Sequence, residues 1–384
     1  MIQPIYLDYN ATTPHAPEVI EAMRPFFETE FGNPSSAHWY AIRPKQAVEE
    51  ARRRVAGLLG CQAGEVIFTS GGTESNNQAI KSFGGARFAR GNHIITSVIE
   101  HPAVLEVCRM MERYGFSVTY LPVDSEGRVD PADVIGATVP KTILISIMHA
   151  NNEVGTLQPI AEIAGLIRGK EILLHTDAAQ SVGKVPTRVN ELGVDLLSIA
   201  GHKLYAPKGI GALYVRNGLT PERFFHGAGQ EMGLRAGTEN VLEIVGLGKA
   251  CEIAERDLNR NTIHMRAMRD RLEAGLSAAL TDIRFNGHWE ERLPNTASVS
   301  FSGLEANRIL EEIGLEVAAS AGAACHSDRV TISHVLEAMR IPEEWAKGTL
   351  RFTTGRMTTA DEIDRALEVI VAAVKKLRRK GDSG

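Results

Sequence analysis

Residues 172–180 read Ile172-Leu173-Leu174-His175-Thr176-Asp177-Ala178-Ala179-Gln180. The run is short and apolar and ends on a carboxylate, the pattern of a strand buried on both faces that delivers a polar residue at its end. Comparable runs lie on either side. Val66–Thr69, His93–Ser97, Ser117–Leu121, 142–148, Leu196–Ala200 and Gly211–Val215 are aliphatic or β-branched stretches bounded by turn residues. Amphipathic stretches at 75–83, 103–114 and 159–167 separate them. Strands alternating with crossover helices predict an α/β fold with a mostly parallel sheet covered on both faces. After Gly227 the texture changes. A long helical stretch at about 239–280 leads to strands at Ile283–Asn286, 297–301 and Thr349–Thr353 and a last helix at 360–379. A smaller α+β unit is expected there.

Composition narrows the functional classes. The chain has 384 residues, 42 Lys+Arg against 47 Asp+Glu and a net charge of −5, without the basic footprint of a nucleic-acid binder. Four cysteines, none in a C-x-x-C pair, argue against a disulfide scaffold and against a structural metal site. Residues 1–8 show no basic and apolar export signal, and no apolar run approaches the ~20 residues of a membrane span. A cytoplasmic location is the expectation. The one charge run, 375–380, reads as a solvated helical turn.

Open α/β sheets bind ligands beyond the carboxyl ends of their strands, so the residues just after each strand matter most. Ser70-Gly71-Gly72-Thr73-Glu74-Ser75-Asn76-Asn77 follows the first strand and opens a helix. Its N–H groups could cradle a phosphate, or the motif could be no more than a helix cap. It matches neither the triphosphate nor the dinucleotide fingerprint. Asp177 needs a partner where it emerges. A protonated pyridine nitrogen would serve, with Gln180 three residues on, although a capping role fits too. Lys203, in Ala200-Gly201-His202-Lys203, follows another buried strand and is the residue type that forms Schiff bases. A lone lysine is usually solvated surface. Phosphate cradle, pyridine-nitrogen carboxylate and Schiff-base lysine together point to pyridoxal 5'-phosphate. Cys61, Cys108 and Cys251 read as packing, whereas Cys325, among small residues and before His326-Ser327-Asp328, reads as an accessible thiol on a loop.

With these residues in place, the sequence resembles the cysteine desulfurases and selenocysteine lyases, fold-type I pyridoxal phosphate enzymes of the class V aminotransferase branch. The resemblance runs from Tyr6-Leu7-Asp8-Tyr9-Asn10-Ala11-Thr12-Thr13-Pro14 and Gly32-Asn33-Pro34-Ser35-Ser36 to Arg351-Phe352-Thr353-Thr354-Gly355-Arg356. It implies a large domain with a seven-stranded sheet at 16–245, with 1–15 as an arm of a smaller domain at 246–384 that carries the cysteine loop. It implies that Lys203 binds the cofactor covalently, Asp177 pairs with the pyridine nitrogen, Gln180 faces the phenolic oxygen and His101 stacks on the ring and aids proton transfer. Asn152 falls near ring and substrate, and Gly72, Thr73 and His202 at the phosphate. Thr238 is expected to reach the partner subunit's phosphate, which implies a homodimer. Arg351, with Asn152 and Asn10, is expected to hold the substrate, Arg351 clamping its carboxylate and Arg356 a second candidate. Cys325 aligns with the persulfide-forming cysteine.

The implied reaction removes sulfur from L-cysteine, leaving L-alanine and a Cys325 persulfide for a scaffold or carrier protein, as in iron–sulfur cluster assembly. Release of selenium from L-selenocysteine is the alternative, and another class V aminotransferase or lyase reaction a further one. Two departures stand out. Ala200 replaces a serine that usually touches the phosphate, and Ala324-Cys325-His326 replaces a Ser-Ala-Cys-Thr-Ser type of loop. Selenocysteine lyases share both, but the segment from Cys325 to Val335 has the length found in desulfurases that hand sulfur to scaffold proteins.

Overall fold

The computed structural model describes residues 4–326 and 329–381; the side chains of residues 323–331 and of those beyond 379 lie outside the described set. A two-residue strand, β1 (Ile5–Tyr6), precedes the first helix. Next in the chain come β2 (Val66–Thr69), β3 (His93–Ser97), β4 (Ser117–Leu121), β5 (Thr142–Ser146), β6 (Leu173–Asp177), β7 (Leu196–Ala200) and β8 (Gly211–Val215). These seven form one sheet in the order β2-β8-β7-β6-β5-β3-β4. The pairs from β4 through to β7 are parallel, whereas β8 runs antiparallel to both β7 and β2. The connection 201–210 accounts for that reversal. It is shorter than the dozen or so residues a parallel crossover needs, so the chain turns straight back beside β7.

Successive residues of the central strands enter opposite cores, which is why the strands read as continuous apolar runs. Leu173, Leu196, Ile94 and Leu213 pack on one face against the helices Gly72–Arg87 and Pro102–Arg113. Leu174, Leu197, Ile95 and Ala212 pack on the other, against Ile42–Leu59 and the first part of Val241–Ala279. Each fully buried aliphatic side chain contributes about 1.5–3 kcal/mol. The sheet is thereby a rigid platform for the residues at its strand ends.

The second unit contains β9 (Ile283–Asn286), β10 (Thr296–Phe301), β11 (Val317–Ala318), β12 (Ser320–Ala321), β13 (Ala323–His326), β14 (Arg329–Ile332) and β15 (Thr349–Thr353). Strands β12-β15-β10-β9 form an antiparallel sheet, backed by the helix Ala360–Gly381. The N-terminal segment belongs with this unit: β1 pairs with β11, and Ile5 and Leu7 share a core with Phe301 and Phe352. The 39-residue helix Val241–Ala279, about 58 Å long at 1.5 Å per residue, joins the two cores. Leu247 and Ala254 pack in the first core and Leu272 and Leu276 in the second, so the division expected at 245/246 falls within one continuous helix. Where the sequence predicts an open loop, β13 and β14 pair as a hairpin with Cys325 opposite Val330. No helix among the described residues is long and apolar enough to cross a membrane.

Candidate active site

A cavity of about 340 Å³ opens beyond the carboxyl ends of the parallel strands. Asp177 reaches it from the end of β6, and Lys203 from the turn after β7. The Gly72–Arg87 helix contributes its N-terminus, with Gly72 and Thr73, and Arg351 comes across from β15. Gly71 (φ +146°) makes the sharp entry into that helix, a conformation that favours glycine. A methyl group at Gly72 would stand 3.2 Å from Cβ of Ala200, so the cavity floor is built for small residues. Asn10, Asn76, Asn152, Gln180, His101 and His202 complete the polar lining.

Each group is held in place. Asp177 accepts from Asn76 Nδ2 at 2.7 Å and from the Ala179 N–H at 2.9 Å. Lys203 Nζ donates to the carbonyls of Asn10 (2.6 Å) and Ala11 (2.8 Å), so the N-terminal segment seats the lysine. Burial pushes the Lys203 amine down to about 8, reinforced by the Arg351 guanidinium and opposed by Asp8 and Asp177. An amine in that range is partly neutral near pH 7 and can act as nucleophile or base. His202 is lowered to about 4, first by burial and then by Lys203 and its lysine neighbours, and contacts Thr12 Oγ1 through Nδ1 at 3.2 Å. His101 caps the helix Pro102–Arg113, Nδ1 accepting from the Ala103 N–H at 3.1 Å. The residue is exposed, yet desolvation by the surrounding protein lowers its pKa, as do Lys203 and His334, against Asp177. The neutral tautomer therefore carries its proton on Nε2.

Arg351 is engaged on two sides, with Asp8 Oδ1 at 2.7 Å, Ser320 Oγ at 3.1 Å and the Asn152 carbonyl at 2.9 Å. Its buried Nε has no partner. Arg356 lies elsewhere, over the Tyr205 ring and paired with Glu18. Thr238 is exposed and does not line the cavity of its own chain. The Cys325 side chain lies outside the described residues. Cys108 and Cys251 are buried and Cys61 half-buried; burial raises Cys61 and Cys108 to about 12 and Cys251 further, leaving three inert thiols.

Sequence reasoning missed Asn76 as the anchor of Asp177, Asp8 as the partner of Arg351, and Lys184 behind Gln180. Asn76 lies one helical turn beyond Gly72 and Thr73, a spacing that puts it on the same helix face and could have marked it. No local pattern marks the other two.

Comparison with known proteins places this arrangement. The aminotransferase class-V family model matches residues 5–366. The chain belongs to that family. A cysteine desulfurase IscS of Dictyoglomus turgidum is 48% identical over 379 residues, 98% of this chain and 96% of that protein. One of Methanosarcina thermophila is 47% identical over 375 residues, covering 97% and 93%. Among solved structures, a NifS-like protein superposes with a TM-score of 0.91 at 38% identity, covering 97% of this chain and all of the other. SspA in complex with cysteine gives 0.81 at 38% identity, covering 92% and 99%. Class-V aminotransferases depend on pyridoxal 5'-phosphate. The cavity suits it: an amine-bearing lysine, a carboxylate for the ring nitrogen, a helix N-terminus for the phosphate and an amide at Gln180.

Proposed function

We propose that the protein is a pyridoxal phosphate-dependent cysteine desulfurase, transferring the sulfur of L-cysteine to Cys325 and releasing L-alanine. The observation that carries the reading is the convergence of Asp177, Lys203, Arg351 and the Gly72–Thr73 helix start on one cavity. Gly72, Thr73 and His202 would hold the phosphate, with no hydroxyl at Ala200. Asp177, fixed by Asn76 and Ala179, holds the ring nitrogen protonated, and Gln180 donates to the phenolic oxygen. Pyridoxal 5'-phosphate supplies the electron sink that acidifies the substrate Cα–H.

Lys203 would take the Cα proton of the substrate, its lowered pKa matching that task. Arg351, which lines the cavity, would clamp the substrate carboxylate, with Asn10 and Asn152 beside it. His101, neutral with Nε2–H, lines the cavity where it would cover the ring and move protons. The Cys325 thiolate attacks the substrate sulfur: an S–S bond forms, the Cβ–S bond breaks, its electron pair takes up a proton at Cβ to give a methyl group, and the proton held by Lys203 returns to Cα to complete alanine. The persulfide then passes to a sulfur-accepting protein. Two copies of the chain complete each site, Thr238 reaching the phosphate of the partner subunit. A reducing compartment such as the cytoplasm keeps such a thiol available.

Lys203→Ala tests the reading. Purified variant is expected to lack the visible absorbance of lysine-bound cofactor and to form no alanine from cysteine. Full turnover by that variant would sink the proposal.

A further inference from the structure

Lys184 is 5% exposed and meets no carboxylate among the groups it bonds. Its Nζ donates to Gln180 Oε1 at 2.8 Å and to Asn10 Oδ1 at 3.1 Å. Burying an amine on neutral partners is costly, and burial drives its pKa well below the ordinary lysine value, with Lys203 and Arg351 adding to the effect. Such a placement needs a function.

The geometry supplies one. Lys184 lies four residues after Gln180 in the turns that follow β6, with Gly183 between them in the left-handed region (φ +77°). Its carbonyl accepts from Thr262 Oγ1 at 2.8 Å, which pins its backbone to the long helix. An amine donates and an amide oxygen only accepts, so Lys184 forces Oε1 of Gln180 to face inward. Nε2 then points the other way, with one proton on the Asn10 carbonyl at 2.9 Å and the second left for the cavity that Gln180 lines. The same amine fixes Asn10, whose Oδ1 it holds together with Asn295 Nδ2 (3.0 Å) while Nδ2 donates to Thr296 Oγ1 (2.9 Å). The Asn10 carbonyl in turn holds Lys203.

We propose that Lys184 is a positioning residue for cofactor binding: it locks the Gln180 amide with its donor toward the cavity, aimed at an anionic oxygen on the bound cofactor. The inference rests on the pyridoxal phosphate reading of the site. A donor held toward such an oxygen stabilises the deprotonated form of the lysine-bound cofactor, so losing the lock raises the pH midpoint of its visible spectrum and weakens its binding.

The test is a double-mutant cycle of Lys184→Met and Gln180→Ala, read on cofactor dissociation constants of apoprotein and on the spectral midpoint. Lys184→Met alone is expected to weaken pyridoxal 5'-phosphate binding roughly five- to tenfold, the loss of about one well-placed hydrogen bond, and to raise the midpoint. In the Gln180→Ala background the same change is expected to do much less to both. A merely structural lysine, or one acting by charge alone, gives the same effect in both backgrounds, and that additivity overturns the proposal. Lys184→Gln, one bond too short to reach Oε1, repeats the measurement with a polar side chain should the methionine variant fail to fold. Absence of cofactor binding by the unaltered protein would instead overturn the reading of the site itself.

Discussion

Replacing Arg351 by methionine should make Lys203 a poorer nucleophile at neutral pH, before any substrate is involved. With its amine near 8, about one Lys203 side chain in ten is neutral at pH 7, against about one in three thousand for an amine at the ordinary 10.5. The site thus provides a ~300-fold larger population of the reactive form. Burial is the main cause and survives the substitution; the guanidinium is the second. Arg351→Met removes that charge and releases Asp8, whose carboxylate then acts on Lys203 without competition. A rise of roughly half to one pH unit is expected, a three- to tenfold smaller neutral fraction at pH 7. Stopped-flow mixing of apoprotein with pyridoxal 5'-phosphate between pH 6 and 10 reads it directly. The rate should climb with pH about a midpoint near 8, the variant lagging at pH 7 and converging above pH 9. A midpoint unchanged or lowered in the variant, or an unaltered protein with a midpoint near 10.5, refutes the reasoning.

Two further outcomes follow from buried charges. Glu100 is fully buried, accepting from Ser97 Oγ and the Met148 N–H, and burial raises its carboxyl to about 8. A carboxyl raised on folding contributes stability below its unfolded value, near 4.5, that is lost as pH rises through about 8. Glu100→Gln should therefore unfold at a higher temperature than the unaltered protein at pH 8.5 but not at pH 4.5; equal gaps at both would contradict this. Arg52 meets Glu231 through two bonds of 2.8 and 2.7 Å, both side chains nearly inaccessible, and Glu231 also accepts from the Phe68 N–H of β2. Arg52→Ala leaves that carboxylate buried and unpaired, a loss of about 3–5 kcal/mol measurable by denaturant unfolding. A loss under 1 kcal/mol would show the pair to be dispensable.

Much of this molecule was legible in its sequence because the central strands are buried on both faces. Val66–Thr69, His93–Ser97, Ser117–Leu121, Leu196–Ala200 and Gly211–Val215 start and stop where apolar runs meet turn residues. The 142–148 run overshoots β5 by two residues, since Ile147 and Met148 stay buried after the ladder ends. The antiparallel sense of β8 follows from the length of 201–210, a cue that alternation of strands and helices hides. Asp177, Lys203 and Gln180 announce themselves as polar residues directly after strands. Lys184 and Asp8 do not, because each is also tied by a contact made across the fold: Lys184 to Asn10, and Asp8 to Arg351 some 340 residues away. Asn10 sits at the junction. Its backbone carbonyl holds Lys203 and Gln180, while its side chain bonds Lys184, Asn295 and Thr296. The ordering of that one residue ties the N-terminal segment, the sheet ends and the smaller unit to the same cavity.

The claim that sulfur leaves cysteine for Cys325 has a direct measurement. Cofactor-loaded protein is given a limiting amount of L-cysteine without reductant, alanine is counted, and the Cys325 peptide is weighed by mass spectrometry. One alanine per added sulfur atom on that peptide is the expected result, with neither product formed by Cys325→Ala that still holds its cofactor. Alanine formed in full by that variant, or sulfur found on another cysteine, would contradict the account.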